Sequence, residues 1–211
     1  MEMEYYTIAD YATDSFIERK SEFIGYIMPV KTEEEAHIFI DSIKKQHHDA
    51  THNVWAYILR GDGVEIKRFS DDGEPQGTAG LPSLEVLAKE GLTDVCVVVT
   101  RYFGGILLGA GGLVRAYSHG VKVAVDAAVR VCMAQCFPVS VRLPYHLYGS
   151  FQYGLPDYRH EARGVEYSDA VEISLLLHHT EVERFCKWIV ELSGGTVEAQ
   201  VGEMEFGALA E

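Results

Sequence analysis

The sequence predicts an α+β protein of two domains, residues 1–134 and 135–211. Three observations carry this. Strand and helix patterns alternate along the first part and run into two glycine-rich blocks. Composition shifts near residues 132–138. Beyond that point the elements follow the order β-α-β-β-α-β, which is a ferredoxin-like unit. With 211 residues and 47% apolar side chains the chain can bury a sizeable core.

In the first part, Tyr6, Ile8, Phe16, Phe23, Ile24, Tyr26 and Ile27 alternate as two or three strands. Thr32 and Glu35 form a capping box, with Glu33 and Glu34 in the same first turn. Ala36, Phe39, Ile40 and Ile43 continue at helical spacing, and Lys44 and Lys45 close the helix. Val54–Leu59 and Val64–Phe69 read as a hairpin around Gly61-Asp62-Gly63. A helix follows, with Pro82 in its first turn, Leu84 and Leu87 inward, and Gly91 at its stop. Val95–Val99 is a near-continuous β-branched run, the mark of a strand buried on both faces. A long helix is expected after Gly112. Leu113, Tyr117, Val121, Ala124 and Ala128 form its core stripe, and Arg115, His119, Lys122, Asp126 and Arg130 a mostly basic face.

In the second part, Val139, Val141 and Leu143 alternate as a strand. A helical stretch spans His146 to His160, bent or interrupted by Gly154 and Pro156. Val165–Tyr167 and Val171–Leu177 are the next strands. Thr180 and Glu183 form a second capping box before Val182, Phe185, Cys186, Ile189 and Leu192, and Gly194-Gly195 stops that helix. Thr196–Phe206 is the last strand.

The net charge is −14, with 13 basic and 20 acidic residues up to residue 134 and 5 and 12 after it. Such a balance weighs against a general nucleic-acid binder, so a nucleic-acid site would need a local basic patch. No apolar run reaches the ~20 residues of a membrane span, and the acidic, aromatic N-terminus is unlike a signal peptide. Cytoplasm is therefore the expected location. Cys96, Cys132, Cys136 and Cys186 lack metal-ligand spacing and read as reduced thiols. No metal or cofactor is expected.

The chemistry lies in the two glycine-rich blocks. In the second, a strand, a loop with Gly104, Gly105, Gly109, Gly111 and Gly112, and a helix start form the arrangement that binds anions. Arg101 before the loop and Arg115 one turn into the helix would bracket a phosphate or carboxylate. The block lacks the Lys-Ser/Thr ending of a P-loop and the context of a dinucleotide fingerprint. A tight packing turn is the alternative. The first block places Asp71, Asp72 and Glu74 together, with His52 as a nearby acid–base group. The same residues are good turn chemistry. His47 and His48 follow a helix as its exposed end.

These blocks also carry a resemblance. Ser70-Asp71-Asp72-Gly73-Glu74-Pro75 with Gly77-Thr78-Ala79-Gly80 and Pro82, then Thr100-Arg101-Tyr102-Phe103-Gly104-Gly105 and Gly111-Gly112-Leu113-Val114-Arg115-Ala116-Tyr117, resemble the YigZ/IMPACT family. His52, Ala56 and Tyr57 match its His-x-x-x-Ala-Tyr stretch. Val54 departs from the Cys of many members, so no thiol role is carried over. The motifs cover roughly residues 15–130. The resemblance implies a first domain like the second domain of ribosomal protein S five. It implies a ferredoxin-like second domain similar to a late domain (domain V) of elongation factor G. Eukaryotic relatives regulate translation under amino-acid starvation by competing for the activator of a translation-factor kinase, through a chain with an additional N-terminal domain. No established catalysis comes with the family.

Together these observations describe a cytosolic, non-enzymatic binding protein of the translation-regulator type, with a role in stress response. Its partner would be RNA or a ribosome- or translation-associated protein held across the glycine-rich face. Arg101 and Arg115 would make anion contacts, and Asp71, Asp72 and Glu74 would fix the loop or meet a basic partner. Two alternatives stand beside this reading. One is a phosphate- or nucleotide-binding enzyme in which Asp71 or Asp72 holds Mg²⁺ or acts as base. The other is a dimerisation module.

Overall fold

The computed structural model describes residues 4–61 and 64–209. They form two compact units, one of Tyr5–Val131 and one of Glu4 with Cys132 onward.

In the first unit β1 (Glu4–Ile8) makes a parallel bridge from Tyr6 to Leu92. β2 (Ala12–Glu18), β3 (Ser21–Pro29), β4 (His52–Leu59), β5 (Ile66–Ser70) and β6 (Val95–Tyr102) form an antiparallel sheet in the order β2-β3-β6-β4-β5. The β4–β5 hairpin is present, while Asp62 and Gly63 of its turn lie outside the described residues. Helix α1 (Glu33–Gln46) covers one face, where Phe39, Ile40 and Ile43 pack on Tyr57, Cys96 and Val98. Helices α2 (Gly80–Lys89) and α3 (Ala110–Ala127) cover the other, where Leu84, Leu87, Leu113, Tyr117 and Val121 pack on Phe23, Val97 and Val99. The unbroken apolar run of β6 thus serves two cores, one on each face, as its composition requires.

The α1 cap forms as the sequence predicts: Thr32 Oγ1 accepts the Glu35 N–H, while the Glu35 carboxylate accepts from Lys31 rather than from Thr32. Helix α3 starts at Ala110, so Gly111 and Gly112 belong to its first turn instead of preceding it. It lies unusually close to the sheet. A Cβ on Gly25 would fall 2.1 Å from the Gly120 carbonyl oxygen, so that crossing admits only glycine.

The second unit has the ferredoxin-like order. Its elements are β7 (Arg130–Leu143), α4 (Tyr145–Gly154), a 3₁₀ turn (Leu155–Asp157), β8 (His160–Tyr167), β9 (Val171–His178), α5 (Val182–Leu192), β10 (Gln200–Val201) and β11 (Glu205–Ala208). Strands β7 to β11 pair with one another antiparallel. β9 lies between β8 and β7, and β10 and β11 pair with β7. Phe151, Phe185 and Ile189 of the helices meet Val139, Val141, Ile173 and Leu175 of the sheet.

Several boundaries differ from the sequence reading. β7 is far longer than Val139–Leu143, and the stretch expected to be one helix ends at Gly154 and yields a strand from His160. The last strand is split in two. The Thr180–Glu183 box does not form: Thr180 Oγ1 bonds His178 Nδ1, and Glu181 caps α5 without a side-chain bond. A short polar side chain finds the nearer partner.

Candidate functional site

The first glycine block wraps its three carboxylates around its own chain. Asp71 accepts N–H bonds from Gly77, Ala79 and Gly80, at 2.8–3.0 Å. Ala79, at the start of α2, has no side chain able to cap the helix, so Asp71 supplies the cap from eight residues upstream. Burial pushes the Asp71 carboxyl up, but the three N–H donors outweigh it and hold it below the ordinary carboxylate value. Asp72 accepts from Lys44 Nζ and from the Asn53 N–H, both at 2.7 Å. Its own backbone takes the left-handed conformation, with φ of 46°.

Glu74 is buried. Its Oε1 accepts from Arg101 at 2.5 Å and from the Tyr117 hydroxyl at 2.7 Å, and His52 Nε2 stands 3.8 Å away. His52 is oriented by a 2.8 Å bond between its Nδ1 and the Asp72 carbonyl oxygen, which makes Nδ1 the protonated nitrogen. Burial and the bond to Glu74 hold the Tyr117 hydroxyl far above its ordinary range.

This geometry corrects the expectation for Arg101. Strand residues alternate between faces, and Val95, Val97 and Val99 point under α2 and α3. Arg101 shares that parity. The residue is 5% exposed, and its guanidinium is bonded to Glu74 and flanked by the Phe23 and Phe103 rings at 5.5 Å. It therefore does not flank an exposed anion face. His47 also departs from expectation: it is buried between the Tyr26 and Tyr102 hydroxyls, at 2.5 and 2.9 Å, whereas His48 is exposed. That buried side-chain cluster had no local sequence signal, because its members come from β3, β6 and the end of α1.

The second block does reach the surface. After β6, Phe103, Ile106 and Leu107 project into solvent, Leu107 with 80% of its surface exposed. Gly105 and Gly109 turn this loop with φ of 84° and 71°, a conformation that side-chain-bearing residues resist. The loop base is pinned by the Phe103 N–H on Thr51 Oγ1 and the Gly104 N–H on Ser21 Oγ. Arg115 is exposed on the first turns of α3 and makes no hydrogen bond or ion pair among the described residues. The structure thus separates the residues singled out in the sequence. Glu74 and Arg101 are buried together with His52 beside them and the Asp72 carbonyl on His52, Asp71 turns to the start of α2, and Gly105, Gly109, Gly111 and Arg115 lie on the surface.

Sequence reasoning missed the turn between β2 and β3. Arg19 and Lys20 both take positive φ, 47° and 65°, in a two-residue hairpin turn without the usual Asn or Gly. With Arg115 and His119, Arg19 lines a cleft of about 370 Å³ between β2 and α3. Among the described residues no group of three or more His, Cys, Asp or Glu could hold a metal ion, and no helix is long and apolar enough to cross a membrane.

Comparison with known proteins matches residues 19–125 to the Impact N-terminal domain and residues 141–196 to a domain of unknown function, DUF1949. IMPACT family member YvyE of Bacillus subtilis is 39% identical over 202 residues, covering 96% of this chain and 93% of that protein. IMPACT family member YigZ of Escherichia coli is 32% identical over 181 residues, covering 85% and 89%. A crystal structure of a hypothetical protein superposes with a TM-score of 0.63 at 30% identity, covering 97% of this chain and 99% of the other.

Proposed function

We propose, for a chain that belongs to the IMPACT family, that it is a cytoplasmic, non-enzymatic binding protein of the translation-regulator type. Its partner in this reading is a ribosome- or translation-associated protein. The theme of translation control under stress comes from the resemblance to the family's eukaryotic members. The observation that carries a protein partner is the loop Phe103–Gly109. It holds Phe103, Ile106 and Leu107 in water on a base fixed by β6 and two side-chain hydrogen bonds. An exposed apolar tip on a pinned base gains by burial on docking and leaves only the tip to be ordered.

The enzyme alternative draws less support. The carboxylates it would use are engaged: Asp71 with three N–H groups, Asp72 with Lys44 and Asn53, Glu74 with Arg101 and Tyr117. RNA is a second reading, favoured by Arg115, a surface guanidinium with no acidic partner among the described residues.

Co-sedimentation with salt-washed ribosomes and with the ribosome-free fraction tests this. Wild type is expected to associate with one fraction in a manner that survives added salt, since apolar docking releases few counterions. Leu107→Asp is expected to abolish the association while keeping the circular dichroism spectrum. Undiminished association of Leu107→Asp overturns the reading.

A further inference from the structure

We propose that the cleft between β2 and the first turns of α3 is a binding site for the phosphate of a nucleotide, free or at the end of an RNA strand. Its walls carry Arg19 on one side and Arg115 and His119 on the other, above an apolar floor that includes Phe16 and Leu108. The inference goes beyond the docking reading, whose loop residues Phe103, Ile106 and Leu107 do not line this cleft.

Charge is the first argument. In a chain of net charge −14, two guanidinium groups and an imidazole meet in one concavity with a single carboxylate, Glu18. Glu18 offsets only one of them, and at long range. Its nearest approach is 3.9 Å to the Nε of its chain neighbour Arg19, beyond hydrogen-bond length, and Arg115 has no acidic partner among the described residues. Elsewhere Arg101 is ion-paired at short range with Glu74, Arg142 with Asp169 and Arg184 with Glu181, whereas Arg68 and Arg159 stand 4.0 Å from their carboxylates. Each guanidinium of the cleft therefore retains a planar fork of N–H donors, which matches phosphate oxygens in pairs.

Placement is the second. Arg115 and His119 are four residues apart, so they share one face of α3. Arg19 is held opposite by a hairpin turn whose backbone is clamped by Gly104. The fold thus brings Arg19 and Arg115 to one cleft whose single carboxylate, Glu18, stands 3.9 Å from Arg19. A dianion offsets the remaining positive charge.

Size and floor are the third. At about 370 Å³ the cleft exceeds what an inorganic anion fills and lies in the range of small-molecule sites. Phe16 is fixed there by stacking on Phe23, with centroids 5.2 Å apart, and by the edge of the His119 ring at 4.4 Å. Leu108 extends the apolar surface. A sugar or base thus has a fixed surface beside the phosphate contacts.

The intact protein, labelled with ¹⁵N, is titrated by NMR at low salt with pyrophosphate, with uridine diphosphate, and with a ten-residue oligouridylate carrying a 5′-phosphate. Shifts are expected at residues 16–20 and 112–119. Arg115→Gln is expected to weaken binding by at least about tenfold, the effect of losing one charged hydrogen-bonding group. Arg142→Gln and Leu107→Asp are expected to leave it unchanged, the latter separating this site from partner docking. Tightest binding of uridine diphosphate identifies a free nucleotide as the source, and tightest binding of the oligonucleotide identifies RNA. The proposal is overturned if no probe shifts the cleft residues, or if their shifts and affinity survive Arg115→Gln.

Discussion

Gly104 rests on the backbone of Lys20 so closely that a Cβ at this position would fall 2.0 Å from the Lys20 carbonyl. The contact joins the second glycine block to the β2–β3 turn, whose two basic residues both sit at positive φ. Such strain persists only where the surroundings impose it. Gly104→Ala must push the loop and the turn apart. We expect it to cost about 1–3 kcal/mol, as overpacking does. Gly111→Ala is the control, since nothing lies within 4 Å of its added methyl and the site is helical. It is expected to be neutral or to stabilise by up to about 1 kcal/mol. Urea denaturation of both variants checks the pair, and equal effects would contradict the clamp.

The two arginines picked out by the second block should behave oppositely. Arg101 is buried against Glu74, and its Nε has no hydrogen-bond partner among the described residues. Arg101→Met leaves the Glu74 carboxylate buried with only Tyr117 bonded and His52 near, and is expected to cost about 3–5 kcal/mol. Adding Glu74→Leu removes the stranded charge and should restore part of that loss. Arg115→Ala, at an exposed position without an ion pair among the described residues, should change stability by no more than about 0.5 kcal/mol. Equilibrium unfolding of the three variants decides it, and a double variant worse than Arg101→Met would argue against an isolated ion pair.

We further expect the second unit to fold alone. It has its own core around Phe151, Phe185 and Ile189, and within it β7 pairs antiparallel with β9, β10 and β11, and β8 with β9. A fragment should begin at Arg130, because β7 starts there and a cut at residue 134 would truncate it. Dispersed amide resonances and a cooperative thermal transition are the expected result, and a collapsed, non-cooperative fragment would tie this unit's stability to the rest of the chain.

Much of this architecture was legible locally. The Thr32 cap, the Val95–Val99 run and the periodicity of α3 and α5 each act within a few residues, and each forms. The direction of Arg101 was legible too: extending the alternation of Val95, Val97 and Val99 by one step turns it inward. What the sequence hid depends on distant partners. Asp71 looks like a turn residue because the helix it caps begins nine residues later. Arg19-Lys20 carries no turn signal because Gly104, far along the chain, enforces the turn. The surface cleft combines a strand and a helix more than ninety residues apart, so no spacing could place Arg19 beside Arg115.

The Asp71 cap has a pH signature. Gly77, Ala79 and Gly80 donate to the charged carboxylate, so its folded-state pKa lies below the ordinary value, about 3.9 in an unfolded chain. A depressed carboxyl contributes stability that is present above the unfolded pKa and lost as pH falls through the folded one. Wild type should therefore hold this contribution at pH 5 and above and lose it progressively below about pH 4. Asp71→Asn keeps one acceptor oxygen, suited to the Ala79 and Gly80 N–H groups that share Oδ1, and turns an amide towards the Gly77 N–H. It should cost about 1 kcal/mol near neutral pH, as the loss of a cap bond does. Its stability should also fall less steeply on acidification. Denaturation midpoints of the two proteins between pH 7 and pH 3 test both statements. Parallel profiles would mean that the acid sensitivity arises at other carboxylates and that the Asp71 charge is not what holds the start of α2.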